Sequence, residues 1–199
     1  MTPDAPVRVL GIAGSLRAGS YNQALLRAAA ELAPEGMQVE AFARLREVPP
    51  YDADQDPPDA PEQAPEPVRA LRDALRAADA LLIVTPEYNY GVPGVLKNAL
   101  DWASRPPATT PLHDMPAGIM GAATGAVGTA RAQLQLRQAF VFTQTYPLAA
   151  PEVLVSHAAQ KFDAEGRLTD EATRAFVRDH MARLLAWTRR LRRPAVPAE

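Results

Sequence analysis

Ala80-Leu81-Leu82-Ile83-Val84-Thr85-Pro86-Glu87-Tyr88-Asn89-Tyr90-Gly91-Val92-Pro93-Gly94 decides how the rest of the chain is read. Its first five residues are an apolar, branched run without alternation, the pattern of a parallel strand buried on both faces. After it, Val95-Leu96-Lys97-Asn98-Ala99-Leu100-Asp101-Trp102 has helical spacing of its apolar residues, and Pro93 sits where a first helical turn tolerates proline. The residues between are therefore a loop at the carboxyl end of a strand, where open α/β sheets bind ligands. Tyr88 and Tyr90 offer aromatic faces for a flat ring, and Asn89 an amide for its edge. Two rings that only cap the core are the bland alternative.

The remaining chain supplies the partners of this unit. Residues 7–13 read as the first strand, 14–22 as a loop and 23–32 as a helix striped by Leu25, Leu26, Ala29 and Leu32. Strand, glycine-bearing loop and helix make an anion site, because the N–H groups of a first helical turn lack partners and the helix dipole favours negative charge. Ser15, Ser20 and Asn22 add donors, and Arg17 a planar cation suited to phosphate. Gly14 and Gly19 have the spacing of a triphosphate loop, but Ser20 stands where its lysine belongs. The dinucleotide fingerprint fails as well, with Ala13 at its second glycine. A hydroxyl-lined cradle for a terminal monophosphate remains, beside the simpler reading of a helix capped by Ser20 or Asn22.

Residues 37–43 read as the second strand. Seven prolines between 49 and 67 bar regular structure, and the acids Asp52, Asp54, Asp56, Asp59 and Glu62 read as a solvated loop rather than a metal cluster. A helix is expected over 68–78, with Leu71 and Leu75 facing in. Residues 117–123 read as the fourth strand, and Thr124-Gly125-Ala126-Val127-Gly128-Thr129 as another glycine-bearing loop. The helix expected over 130–142 is apolar on more than its core face, which points to a subunit contact. A fifth strand over 152–156 and a helix over 169–190 follow, the helix acidic at its start and basic at its end. Arg189, Arg190, Arg192 and Arg193 read as a solvated helix end. His113, His157 and His180 share no ligand spacing and read as structural or surface residues.

Composition narrows the classes. With 199 residues, 47% of them hydrophobic, the chain can bury a full core as one domain. The net charge of -2 implies no nucleic-acid partner. The absence of cysteine removes thiol nucleophiles, disulfides and iron–sulfur ligands, and fits the cytoplasm. No apolar run nears the roughly 20 residues of a membrane helix, and the start lacks the pattern of a leader.

Strand and helix alternate five times, so the sheet is parallel and doubly wound, and the loops 14–22, 85–94 and 124–129 converge on one crevice. The first offers a monophosphate cradle, the second a ring site, the third close backbone approach through Gly125 and Gly128. That describes a mononucleotide such as FMN; on these residues alone an adenine or another ring fits nearly as well.

Gly14-Ser15-Leu16-Arg17 with Ser20 and Asn22, followed by the stretch from Pro86 to Gly94 and then Leu96 to Trp102, resembles the flavodoxin-like NAD(P)H-dependent FMN reductases, a group that includes quinone, chromate and azo-dye reductases. The resemblance runs from Val7 to the final helix. It implies an α/β, flavodoxin-like three-layer sandwich with a five-stranded parallel sheet, one FMN-binding domain over 1–199. It implies FMN phosphate at Ser15, Arg17, Ser20, Tyr21 and Asn22, and the isoalloxazine ring against Pro86, Glu87, Tyr88, Asn89 and Tyr90 with Thr124 and Gly125 nearby. Thr129 departs from the pattern, since many members carry a second glycine there. The implied activity is hydride transfer from NAD(P)H through FMN to a small-molecule electron acceptor, in a cytoplasmic homodimer or homotetramer. No side chain is expected to act as an essential acid or base, and no metal is expected. A flavodoxin-type electron carrier and a flavin-free mononucleotide-binding regulatory module are the alternative readings.

Overall fold

The computed structural model describes residues 5–192; residues 1–4, within the segment read for a leader, and Arg193 of the basic tail lie outside them. The centre of the molecule is a parallel sheet of β1 (Val7–Ala13), β3 (Ala80–Val84) and β4 (Pro116–Ala122), with β2 (Met37–Ala41) beside β1. Among the described residues five helices flank it: α1 (Tyr21–Glu31), α2 (Glu66–Ala77), α3 (Gly94–Ala103), α4 (Ala130–Thr143) and α5 (Glu171–Leu191). Alternate residues of each strand feed opposite layers, as the pleat requires. Val7, Val9, Ala80, Leu82 and Val84 pack with α1 and α5. Leu10, Ile12, Leu81 and Ile83 pack with α2, α3 and the buried Leu136 and Phe140 of α4. This is the expected three-layer α/β sandwich.

The fifth position differs from expectation. It is filled by two short strands, β5 (Tyr146–Pro147) and β6 (Val153–Val155), both parallel to β4 but paired with its opposite ends. The sheet has six strands in five positions. From the end of β5 to the first residue of β6, the carbonyls of Leu148, Pro151 and Val153 turn to side chains: Arg137 Nη1 donates to the first at 3.0 Å, His180 Nδ1 to the second at 3.0 Å, and Gln133 Nε2 to the third at 3.0 Å. Buried backbone groups that leave a ladder need such substitutes. Burial pushes the His180 imidazole below its ordinary range, so it serves here as a neutral donor.

The proline-rich segment is also more ordered than its composition suggests. It forms 3-10 turns at Leu45–Glu47, Ala53–Gln55 and Pro61–Gln63 and lies across α3. The Pro49 carbonyl accepts from Asn98 Nδ2 and Trp102 Nε1, both at 2.8 Å. Asp56, expected in solvent with its acidic neighbours, pairs instead with Arg72 at 2.7 Å, the two side chains 2% and 1% exposed. Arg72 also donates to the Trp102 carbonyl, which satisfies part of a charge too costly to bury alone.

Register brings the loops together. Ala13 stands opposite Val84, and Val84 opposite Met120, so β1 and β3 end level and β4 runs two residues further, to Ala122. The ladder continues past the strands through Gly14 N–H to Val84 O and Thr85 N–H to Met120 O, each 2.9 Å.

Candidate functional site

The loop 14–22 ends in a capped helix. Ser20 is the N-cap of α1 in an extended conformation, and its Oγ accepts the Asn22 N–H at 3.1 Å. The helix therefore begins at Tyr21, two residues before the expected start. Ser20 N–H bonds the Arg17 carbonyl at 3.1 Å, which folds the loop on itself. Ser15 is buried, its carbonyl held by Gln23 Nε2 at 3.0 Å. Arg17 is exposed and forms no ion pair among the described residues; its guanidinium carbon lies 5.9 Å from the Tyr21 ring centroid. Among the described residues, no hydrogen bond takes the N–H groups of Ser15, Leu16, Ala18, Gly19 or Tyr21. Donors left open at a helix N-terminus suit an anion.

Asn22 is placed with this loop but its side chain is engaged elsewhere. Its Nδ2 donates to the Ala122 carbonyl and its Oδ1 accepts the Ala122 N–H, both at 2.9 Å and both buried. It ties the loop to the end of β4.

The second loop follows β3. Thr85 and Pro86 are buried; Tyr88, Asn89 and Tyr90 are exposed. Tyr88 and Gly91 exchange backbone hydrogen bonds of 3.1 and 2.9 Å around Asn89 and Tyr90. The φ values of 50° and 66° put both central residues in the left-handed region. Asn is at home in such a two-residue reverse turn, but Tyr90 stands where glycine is favoured, a strain of about 1–3 kcal/mol. Arg131 lies 4.1 Å over the Tyr90 ring. The two loops meet where Ser15 Oγ and Tyr88 Oη stand 3.4 Å apart.

Glu87 faces α4, with its side chain 10% exposed. Oε2 accepts the N–H groups of Arg131 at 2.9 Å and Ala132 at 3.1 Å, and Oε1 pairs with Arg131 Nη1 at 3.1 Å. It does the work of an N-cap for a helix whose own N-cap, Thr129, makes no such bond.

The third loop carries its close approach at one glycine. At Gly128, with φ of +61°, a Cβ would stand 2.7 Å from the Leu154 carbonyl carbon, so neither backbone nor space admits a side chain. Gly125 is exposed with open space around its Cβ position, and Thr124 is exposed beside it. Thr129 has φ of +75°, a conformation unfavourable for a β-branched residue, which is why a second glycine suits this place. His157 N–H donates to the Gly125 carbonyl at 3.1 Å, so the exposed His157 sits at the rim of the crevice. A cavity of about 710 Å³ lies elsewhere, between β2 and α2 against Arg8, Phe42, Arg44 and Asp73. It is an open trough at the sheet edge, remote from the three loops.

The structure thus brings all twelve expected site residues to one end of the sheet, but turns the side chains of Asn22 and Glu87 toward the protein. Residues 7–160 match the family described as NADPH-dependent FMN reductase. The chain belongs to this family. The FMN-reductase family relatives are near: the NAD(P)H-dependent FMN reductase of Pseudomonas aeruginosa is 50% identical over 186 residues, which covers 94% of this chain and 97% of that protein. A quinone reductase of Escherichia coli K12 is 40% identical over 84% of this chain and 87% of its own length. Among solved structures, the flavoenzyme NAD(P)H:(acceptor) oxidoreductase FerB of Paracoccus denitrificans superposes with a TM-score of 0.82 at 32% identity, covering 92% of this chain and 98% of FerB.

Proposed function

We propose that this chain is an FMN-dependent oxidoreductase that takes a hydride from NAD(P)H and reduces quinones or similar small acceptors, among them flavins, chromate and azo compounds. The observation that carries the reading is the set of unengaged N–H groups of Ser15, Leu16, Ala18, Gly19 and Tyr21, beside the Ser15–Tyr88 contact. A phosphate fits these groups, and a planar ring fits the turn beyond them. Bound FMN supplies the redox chemistry, accepting a hydride and passing its electrons on.

In this reading Ser15, Ser20 and Tyr21 hold the phosphate with Arg17 as its counter-ion, and Asn22 acts through its grip on Ala122. The backbone of Pro86, Glu87 and Asn89, the rings of Tyr88 and Tyr90, and Thr124 with Gly125 surround the isoalloxazine. The chain acts as one FMN-binding domain in the cytoplasm; no helix among the described residues is long and apolar enough to cross a membrane. The test is flavin titration followed by reduction. FMN should bind more tightly than riboflavin, and NAD(P)H should bleach its visible bands, with recovery on adding a quinone and no partner protein. Equal binding of riboflavin and FMN would overturn the phosphate assignment.

A homodimer or dimer of dimers completes the reading. On α4, Leu134, Val141 and Phe142 are 62%, 78% and 70% exposed, an apolar face that two-fold pairing would cover. Light scattering at micromolar concentration should give a multiple of 21.4 kDa; the monomer mass would overturn it.

A further inference from the structure

The turn at Tyr88–Gly91 is held from outside itself. A strained turn persists only where its surroundings over-determine it, and here the surroundings are one turn of α4. Before the turn, Glu87 sends its carboxylate to the N–H groups of Arg131 and Ala132. After it, the Val92 N–H donates to Gln135 Oε1 at 2.6 Å. The two grips bracket the turn and land within five residues of the same helix. Beyond them stand Pro86 and Pro93, which have no N–H to offer. Gly91 adds an independent sign: its φ is not in the left-handed region, yet a Cβ there would stand 2.9 Å from Gln135 Oε1. A side chain at this position would push Gln135 Oε1 away from the Val92 N–H.

We infer that Gln135, with Glu87, is a positioning residue for flavin reduction. It acts through the backbone of the turn, fixing where Tyr88 and Tyr90 stand, without contact with the ring. This rests on the FMN-reductase reading above. Hydride transfer needs donor and acceptor stacked at close range, and a misplacement of about 1 Å can cost on the order of 10²-fold in rate. Gln135 lies on the exposed flank of α4, so its replacement opens no core cavity.

The test compares the wild type with Gln135→Ala, which removes the acceptor, and Gln135→Glu, which restores one. Three quantities are read: amide hydrogen exchange at Val92 in the FMN-free protein, the FMN dissociation constant, and the stopped-flow rate of flavin reduction at saturating NAD(P)H. In Gln135→Ala, Val92 exchange should accelerate by about tenfold or more. FMN affinity should stay within about threefold while reduction slows about tenfold, and Gln135→Glu should recover most of the rate. Unchanged exchange at Val92 overturns the grip. Released Val92 with an unchanged reduction rate overturns the positioning role, as does a Gln135→Glu variant as slow as Gln135→Ala. A wild type that binds no FMN overturns the underlying reading as well, and its own titration separates that failure from the others.

Discussion

The loop 14–22 and the turn 86–92 leave the ends of adjacent strands and touch through Ser15 and Tyr88, yet they are fixed by different means. The first closes largely on itself, through Ser20 to Arg17 and Asn22 to Ser20, and is tied to the rest of the chain at separate points, among them Asn22 on Ala122 and Arg46, whose Nη2 donates to the Leu16 carbonyl at 2.7 Å. The second has a single local closure, Tyr88 with Gly91, and takes the rest of its support from α4. A phosphate asks for a rigid ring of N–H groups, which a capped helix start provides locally. A flat ring asks for surfaces at the right height, and those depend on where a neighbouring helix stands. If FMN sits as proposed above, changes in the loop 14–22 should show in affinity, and changes around the turn 86–92 in rate.

The largest expected effect tests the buried anchor of the loop on β4. Asn22→Ala leaves the Ala122 N–H and C=O unpaired in the core, and an unsatisfied buried group costs about 1–3 kcal/mol, so a loss of about 2–4 kcal/mol in urea unfolding is expected, with weaker FMN binding. A loss under about 1 kcal/mol would mean the loop stands without its tie to β4. Next, Arg17→Ala should weaken FMN by about 1–3 kcal/mol in a titration and leave riboflavin unchanged, since the side chain serves the phosphate only. A parallel loss for riboflavin would erase the division between the two ends. The smallest effect belongs to Tyr88→Phe. The Ser15–Tyr88 contact is long at 3.4 Å, so FMN affinity should change by less than about 1 kcal/mol and stopped-flow reduction by less than about tenfold. A loss beyond about 10³-fold with FMN still bound would assign Tyr88 a chemical role.

The same contrast decides what could be read from the sequence. The central strands were legible because burial on both faces writes an unbroken apolar run, as in Ala80 to Val84. The loop and capped helix start over 14–22 were legible because glycine, serine and a helix start are local features. The outer sheet position was not: β5 is two residues long, one of them proline, and exists because β4 is long enough to pair with it. Asp56 looked like its acidic neighbours, and nothing local announces Arg72 sixteen residues on as its buried partner. Asn22 and Glu87 were read as ligand contacts because an amide or a carboxylate carries the same letter whichever partner it finds. Gln135 had no signal at all, since its importance arises only when α4 docks beside the turn.

The interruption of the outer strand governs association as well as architecture. A continuous edge would present a second molecule with a row of free N–H and C=O groups, the template for strand-to-strand addition and aggregation. Here Leu148, Pro151 and Val153 have already given their carbonyls to Arg137, His180 and Gln133, and Pro147 and Pro151 have no N–H to give. That border of the sheet offers an added strand few free backbone groups, so the pairing proposed above would rest on the apolar side of α4 and not on this edge.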